Sequence, residues 1–181
     1  ITTQLTFAVD KASAAFAAQT GAGRRLELEI MAVGTEFRNL GVDAEAAGKA
    51  GVDLFNGFSG FLMLNNRTKE DLMATVASLE QIGVAGKTSV EAIVQLNKNF
   101  GITTKESTKL IRSFSIAGRR IGMTASGLVS GFIEANKTLA VFGERSIQIF
   151  KDLAGQAAAA NVEVSSLLAI SAQFNRFDQA A

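Results

Sequence analysis

Proline is absent from all 181 residues of the chain, and this absence sets the first limit on the fold. All-β domains usually place prolines in turns and edge strands, whereas helices joined by glycine and asparagine turns can do without them. Alanine, the best helix former, is plentiful, and 17 glycines are available to end helices or to permit close contacts. The sequence predicts an all-α fold of consecutive amphipathic helices joined by short Gly or Asn turns, packed as a helical bundle.

Composition also narrows the chemistry that the chain can perform. Histidine, cysteine, tryptophan and tyrosine are all missing, so imidazole bases, thiol nucleophiles and the common zinc and haem ligands are missing too. A net charge of +1, with 48% hydrophobic and 19% charged residues, argues against intrinsic disorder and against a wholly basic nucleic-acid binder. We expect no catalytic site, no cofactor and no metal site, and the chain is not predicted to be an enzyme.

Neither a membrane span nor a secretory leader can be read from the sequence, because no run approaches the roughly 18 apolar residues that a spanning helix needs. The chain begins at Ile1, without an initiator methionine, and both ends look cut within an element. We therefore expect a portion of a longer protein. Residues 1–65 hold the N-terminal helices and a segment rich in glycine and phenylalanine, and residues 66–181 form a multi-helix bundle region.

A recurring helix joint is the most informative local pattern. In Gly101-Ile102-Thr103 the glycine stands just past a helix end, and Thr103 is the N-cap of a capping box that Glu106 completes. The same pattern recurs at Gly122-Met123-Thr124 and at Gly41-Val42-Asp43, and Asn161-Val162-Glu163 is a degenerate copy. These joints predict short turns between successive helices.

Between the joints, apolar residues recur at helical intervals, as at Leu72, Val76 and Leu79. Two further N-cap signals of the Thr-x-x-acid type begin at Thr68 and Thr88. The spacing predicts helices near residues 67–82, 89–99, 104–121, 125–141, 144–160 and 164–176. Before them, apolar residues from Leu5 to Phe37, Phe7 and Phe16 among them, indicate two helices or one helix broken near Gly21.

The first candidate surface is residues 54–64, an uncharged mixture of glycine, phenylalanine and leucine. Glycines between residues 41 and 60 come too densely for a stable solvated helix. One interpretation is a buried helix or helix hairpin whose glycines permit close packing. The others are an oligomer seam and a membrane-inserting segment. The candidate seam residues are Phe55, Phe58, Phe61 and Leu62.

A basic stretch is the second candidate surface, since Glu106 is the only acid between Lys98 and Arg120. Lys105, Lys109 and Arg112 lie at i, i+4 and i+7 and share one helical face. The candidate basic contact face is Lys105, Lys109, Arg112, Arg119 and Arg120. It is a solvated face, a contact with an acidic wall, or a nucleic-acid contact, and the last is the weakest because no aromatic platform is interleaved.

The string Gly83-Val84-Ala85-Gly86-Lys87-Thr88 ends like the phosphate-binding P-loop. That motif also needs a glycine with four residues between it and the final Gly-Lys, and this position is Gln81. No strand is predicted before it, because Leu79 and Ile82 belong to a helical stripe. Nucleotide binding is therefore not predicted.

Three features in the C-terminal half carry a resemblance to a known family: the joints Gly101-Ile102-Thr103 and Gly122-Met123-Thr124, the step from Leu139 to Gly143, and the closing string from Leu167 to Ala181. Through them the chain, from about Gly83 onward, resembles the helical segments of bacteriophage tail tape measure proteins. Those are long, proline-poor, alanine-rich chains that run inside the tail tube.

The resemblance implies a virion structural protein of the phage tail. Such a segment sets tail length, packs in the tail tube or against the tail tip or baseplate hub, and is released before DNA ejection. The resemblance also implies self-association, as a homotrimer or else a hexamer, contacts with tail tube and hub or tip proteins, and membrane contact during infection. It implies no specific nucleic-acid ligand.

Two alternatives from other classes stay open. An autonomous helical adaptor domain would bind a peptide in a groove and would be a stable monomer in isolation. A membrane-perturbing helical protein would insert the segment from Phe55 to Leu64 into lipid. The virion interpretation instead predicts an oligomeric or aggregation-prone chain, because apolar faces with Leu128, Phe132 and Leu139 would lack partners.

Overall fold

The computed structural model describes residues 2–167, apart from the side chains of Thr2, Ser115, Arg119, Lys137 and Glu144. Within this range the protein is all-helical and has no strand, which confirms the predicted fold class. The α-helices are α1 (Thr2–Thr20), α2 (Glu27–Glu36), α3 (Ala44–Gly57), α4 (Asn66–Gln81), α5 (Gly86–Phe100), α6 (Thr104–Arg120), α7 (Ala125–Leu139) and α8 (Ser146–Ala159). Short 3₁₀ segments lie at Arg38–Leu40, Phe61–Met63 and Ala140–Arg145.

The five helices predicted between residues 67 and 160 are confirmed, with each end within three residues of its predicted position. The N-terminal pattern forms two helices, α1 and α2, which are separated near Gly21. Residues 164–167 are helical, as predicted, and the remainder of the helix predicted over residues 164–176 lies outside the described residues.

The helices form a serial array in which each packs mainly on near neighbours in the chain. The first helix contacts α2 and α3, the third contacts α4 and α5, the fifth contacts α6 and α7, and α8 closes on α7. One hydrophobic core runs from Val9 to Val164. Asn65, at the predicted division between the two regions, is the N-cap of α4. The hydrophobic core continues across this position.

The predicted joints set the direction of the chain between helices. Gly101 has a φ of 64° and Gly122 a φ of 74°, a left-handed conformation that glycine adopts without strain. Asn161 takes the same role with a φ of 54°. The capping box is confirmed, since the Thr103 hydroxyl accepts from the backbone N–H of Glu106 while the Glu106 carboxylate accepts from the backbone N–H of Thr103.

Two predicted N-caps are wrong. The N-cap of α4 is Asn65, three residues before the predicted cap Thr68. The side chain of Asn65 accepts a hydrogen bond from the backbone N–H of Thr68 at 2.9 Å. Helix α5 begins at Gly86, ahead of Thr88, and its N-cap Ala85 offers no side-chain oxygen.

Replacing Thr103 by alanine is expected to destabilise the fold by about 1 kcal/mol, because it removes the hydroxyl that satisfies a backbone N–H at the start of α6. Urea unfolding followed by circular dichroism measures the loss. The matched control is Thr138→Ala, an exposed position inside α7, where alanine should be neutral or slightly stabilising. Equal effects of the two substitutions would contradict the role assigned to the cap.

Helix α3 forms despite its glycines because it is buried against α1 and α2. A Cβ added to Gly48 would lie 3.0 Å from the Cβ of Ala12, and one added to Gly51 would lie 3.0 Å from Cδ1 of Leu26. Such contacts are closer than ordinary van der Waals packing, so a larger residue at either position would push its neighbour aside. Of residues 54–64, α3 includes only the first four, and the chain then continues through a turn into the 3₁₀ segment Phe61–Met63, so this segment is not one buried helix.

A cluster of phenylalanines forms the core of the C-terminal half. The ring of Phe132 lies with its centroid 5.1 Å from that of Phe114 and 5.3 Å from that of Phe150. Leu128 and Leu139 are buried with it. The expectation that Leu128, Phe132 and Leu139 lack partners is therefore wrong, since all three are covered by this chain's own helices.

A buried ion pair joins α2 to α4, and the sequence did not predict it. The Lys69 ammonium forms a salt bridge with the Glu29 carboxylate, and the two side chains are only 10% and 4% exposed, respectively. Burying two charges is costly unless they are paired, so each residue depends on the other.

Candidate interaction surfaces

Most apolar side chains of the segment rich in glycine and phenylalanine lie in the core or pack against it. Gly60, with a φ of 81°, begins the 3₁₀ turn that brings Phe61 inward, where it is only 1% exposed. Phe55 packs edge-on against Phe16 of α1, with ring centroids 5.9 Å apart. Phe58 and Leu62 are half-buried against the same core.

Phe61 is too deeply buried to contact another copy in this fold, which corrects that one residue of the candidate seam. Phe55, Phe58 and Leu62 are half-buried and keep partial surfaces. Met63, at 90% exposed, is the one large side chain of the segment that projects fully into solvent. In residues 2–167, no helix combines the length and apolar character needed to cross a membrane.

The basic face lies on α6 and is partly used within the protein. Lys105, Lys109 and Arg120 are exposed, while the side chain of Arg119 lies outside the described residues. Arg112 is half-buried, and its Nη2 donates to Oγ1 of Thr75 on α4 at 3.0 Å. Arg112 therefore links α6 to α4, while Lys105 and Lys109, which precede it on the helix, are exposed to solvent.

A crevice of about 160 Å³ lies between α4 and α6, next to these cations. Its lining includes Lys105, Lys109 and Arg112, but also the carboxylate of Asp71. Asp71 lies in turn 3.6 Å from the guanidinium of Arg67. An anion entering the crevice would meet this carboxylate as well as the cations, which weakens its attraction.

The string that resembles a P-loop is a turn followed by the start of α5. Gly83 has a φ of 88°, and α5 begins at Gly86. The Asp53 carboxylate of α3 lies against Gly86, where a phosphate would have to approach. Burial, with a contribution from Glu80, raises the pKa of Asp53, while Lys49 and Lys87 oppose the shift. A carboxylate in this position disfavours an anionic ligand, which agrees with the interpretation from sequence.

The structure exposes an apolar surface that the sequence did not identify. Phe7 of α1 is 72% exposed, and Leu28 and Met31 of α2 are 68% and 46% exposed. The sequence grouped Phe7 with Phe16 in one apolar pattern, yet the helical repeat of 3.6 residues per turn puts them on opposite sides of α1. Phe16 is fully buried, and Phe7 lies on the side that the neighbouring helices leave open.

Across residues 2–167, no three carboxylates lie close enough together to hold a metal ion.

Comparison of the chain with models of protein families, with curated proteins and with solved structures finds no match in any of the three.

Proposed function

We propose that the chain is a structural segment of a phage tail, of the tape measure type. It helps to set tail length, packs in the tail tube or against the tail tip or baseplate hub, and is released before DNA ejection. The observation that carries the proposal is the serial helical array itself. Gly-apolar-cap joints connect its helices at Gly41, Gly101 and Gly122, and the resemblance rests on the last two of them.

Close packing of small residues also supports a structural role in an assembly. Glycines and alanines let α1, α2 and α3 approach each other closely, and the same property suits bundling of several chains around one axis. Self-association as a homotrimer, or else a hexamer, is part of the proposal, together with contacts to tail tube and hub or tip proteins in the virion.

An in-frame deletion in the phage that encodes the chain tests the proposal. Removing α6 and α7, residues 104–139, takes out 36 residues, which as extended helix correspond to about 54 Å at 1.5 Å per residue. Electron microscopy should then show tails shortened by about that length if the segment lies in the tube. Tails of normal length that fail to assemble fully or to infect would indicate packing at the tip. Normal tails with normal infectivity contradict the proposal.

One observation favours a second candidate, the autonomous adaptor domain. A groove of about 490 Å³ runs between α1 and α3 and is lined mainly by apolar and small residues. Apolar grooves of this kind are used by domains that bind an amphipathic peptide. This alternative requires a chain that stays monomeric at every concentration.

A further inference from the structure

Three helix pairs, α3–α4, α5–α6 and α7–α8, begin with the same joint. Gly41, Gly83 and Gly122 have left-handed backbones, with φ values of 79°, 88° and 74°, and a helix begins three residues after each. A fourth joint lies at Asn161, with a φ of 54°, and residues 164–167 after it are helical. The four joints are 42, 39 and 39 residues apart, so the chain repeats about every 40 residues.

The backbone hydrogen bonds at the four joints also match. The residue after each joint donates its N–H to the carbonyl five residues earlier, as glycine-ended helices do. These bonds run from Val42 to Phe37, Val84 to Leu79, Met123 to Gly118 and Val162 to Ala157, at 2.9–3.3 Å. The turn at Gly101, which joins α5 to α6 within a pair, differs because the N–H of Ile102 reaches back six residues to Leu96. The period thus becomes visible only when Gly101 is counted separately.

Equivalent positions of the repeat also have similar surroundings. The residue three places after each joint is buried in all four cases, and these residues are Ala44, Gly86, Ala125 and Val164. Asn97 and Asn136, each fourteen places after its joint, both donate a side-chain hydrogen bond, the first to Ser107 and the second to Gln95. The repeat therefore extends from the backbone to the side chains.

Packing follows the same period. The first helices of successive pairs form one layer, in which α1 contacts α3, α3 contacts α5, and α5 contacts α7. The second helices form another layer, in which α2 contacts α4 and α4 contacts α6. The ring centroid of Phe114 on α6 lies 5.5 Å from that of Phe150 on α8, which continues the second layer. Each helix pair thus lies beside the next in the same arrangement.

We propose that the chain is a helical-repeat protein. Three equivalent units, residues 41–82, 83–121 and 122–160, stack behind the pair α1–α2. In such a stack each unit is stabilised by its immediate neighbours, and each adds the spacing of packed helices, about 8–10 Å, to the length of the molecule. The protein is therefore an elongated scaffold whose length grows with the number of units. The inference goes beyond the proposed function and does not rest on it.

Hydrogen exchange of the full chain, followed by mass spectrometry, tests the stack with one substitution at each end. Phe150→Ala removes a fully buried ring from α8, and Phe16→Ala removes one from α1. Phe150→Ala should speed exchange about tenfold or more in α7 and α8, but less than about twofold in α1 and α2. Phe16→Ala should give the reverse gradient. Phe142→Ala, which is half exposed in the same unit as Phe150, is the matched control and should change little.

Deletion of a whole unit tests whether the units are equivalent. Removing residues 83–121 joins Ile82 to Gly122, so that α4 leads into α7 through an intact joint. The variant should keep its helicity per residue by circular dichroism and unfold cooperatively in urea. Its longest dimension by small-angle X-ray scattering should fall by about 8–10 Å.

The control is a smaller deletion, residues 86–103, which removes α5 alone and keeps the joint at Gly83. It brings α6 into the layer of first helices, where its apolar face no longer fits, so it should lose more helicity than the larger deletion.

Two results would overturn the proposal. Exchange that rises equally in all helices of both end variants would show one core that opens as a whole. A chain that the deletion of 83–121 unfolds as fully as the deletion of 86–103 would show that the units are not equivalent. Both experiments use the isolated chain, so their outcome is independent of assembly into tails, which the deletion in the phage tests.

Discussion

Lys69→Met is expected to destabilise the fold by about 3–5 kcal/mol at neutral pH, since it leaves the Glu29 carboxylate buried without a partner. Glu29 and Lys69 are the pair that joins α2 to α4 in the core, both almost fully covered. Urea unfolding followed by circular dichroism at neutral pH measures the loss.

The control is Lys49→Met, which removes the Lys49 to Glu80 salt bridge at the surface. The Lys49 side chain is 64% exposed, and exposed pairs contribute less than about 1 kcal/mol. The double variant Glu29→Met, Lys69→Met should recover most of the loss, since paired charges are then replaced by apolar side chains of similar size. If Lys69→Met cost no more than Lys49→Met, the importance assigned to the buried pair would be wrong.

Phe132→Ala should cost about 3–5 kcal/mol as well, because it opens a cavity at the centre of the phenylalanine cluster. Phe132 contacts Phe100, Phe114 and Phe150, and its side chain is completely buried. Stabilities of single domains are about 5–15 kcal/mol, so this loss is a large part of the total. Circular dichroism is the suitable readout, because the chain has no tryptophan or tyrosine to report by fluorescence.

Phe142→Ala is the matched control for this substitution. Phe142 lies in the 3₁₀ segment between α7 and α8 and is 50% exposed, so its removal should cost less than about 1 kcal/mol. Similar losses for the two variants would show that the cluster does not hold the C-terminal half together.

The helices after residue 65 could be predicted because their ends are encoded locally. Gly101 and Gly122 stop a helix through their own backbone conformation, and Thr103 and Thr124 start the next through their own side chains. Such signals need no knowledge of the rest of the fold. They failed at Thr68 and Thr88, where Asn65 supplies the cap in one case and no side chain does in the other.

The N-terminal region was harder because its structure depends on contacts between helices. Glycines at positions 48 and 51 indicate a weak helix when they are considered alone, yet they are what allows α3 to approach Ala12 and Leu26. The pairing of Glu29 with Lys69 across 40 residues of sequence leaves no local signal either.

The candidate surfaces show the same limit. Composition singled out the segment around Phe61 but could not decide whether its side chains are exposed or buried. In the folded protein, Phe61 itself is buried. Phe7 and Phe16 lie on opposite sides of α1, and the packing of α2 and α3 on α1 decides which of the two is covered. A sequence pattern can show that a helix has an apolar face, but only the fold shows whether another helix of the same chain covers it.

If the proposed function is right, the chain is built into phage tails in a small, fixed number of copies. Quantitative mass spectrometry of purified tails, with labelled reference peptides from this chain and from the tube protein, measures that number directly. The predicted result is three copies per tail, or six for a hexamer, falling towards zero in tails that have ejected their DNA. Purified tails that contain no peptide of this chain would contradict the claim.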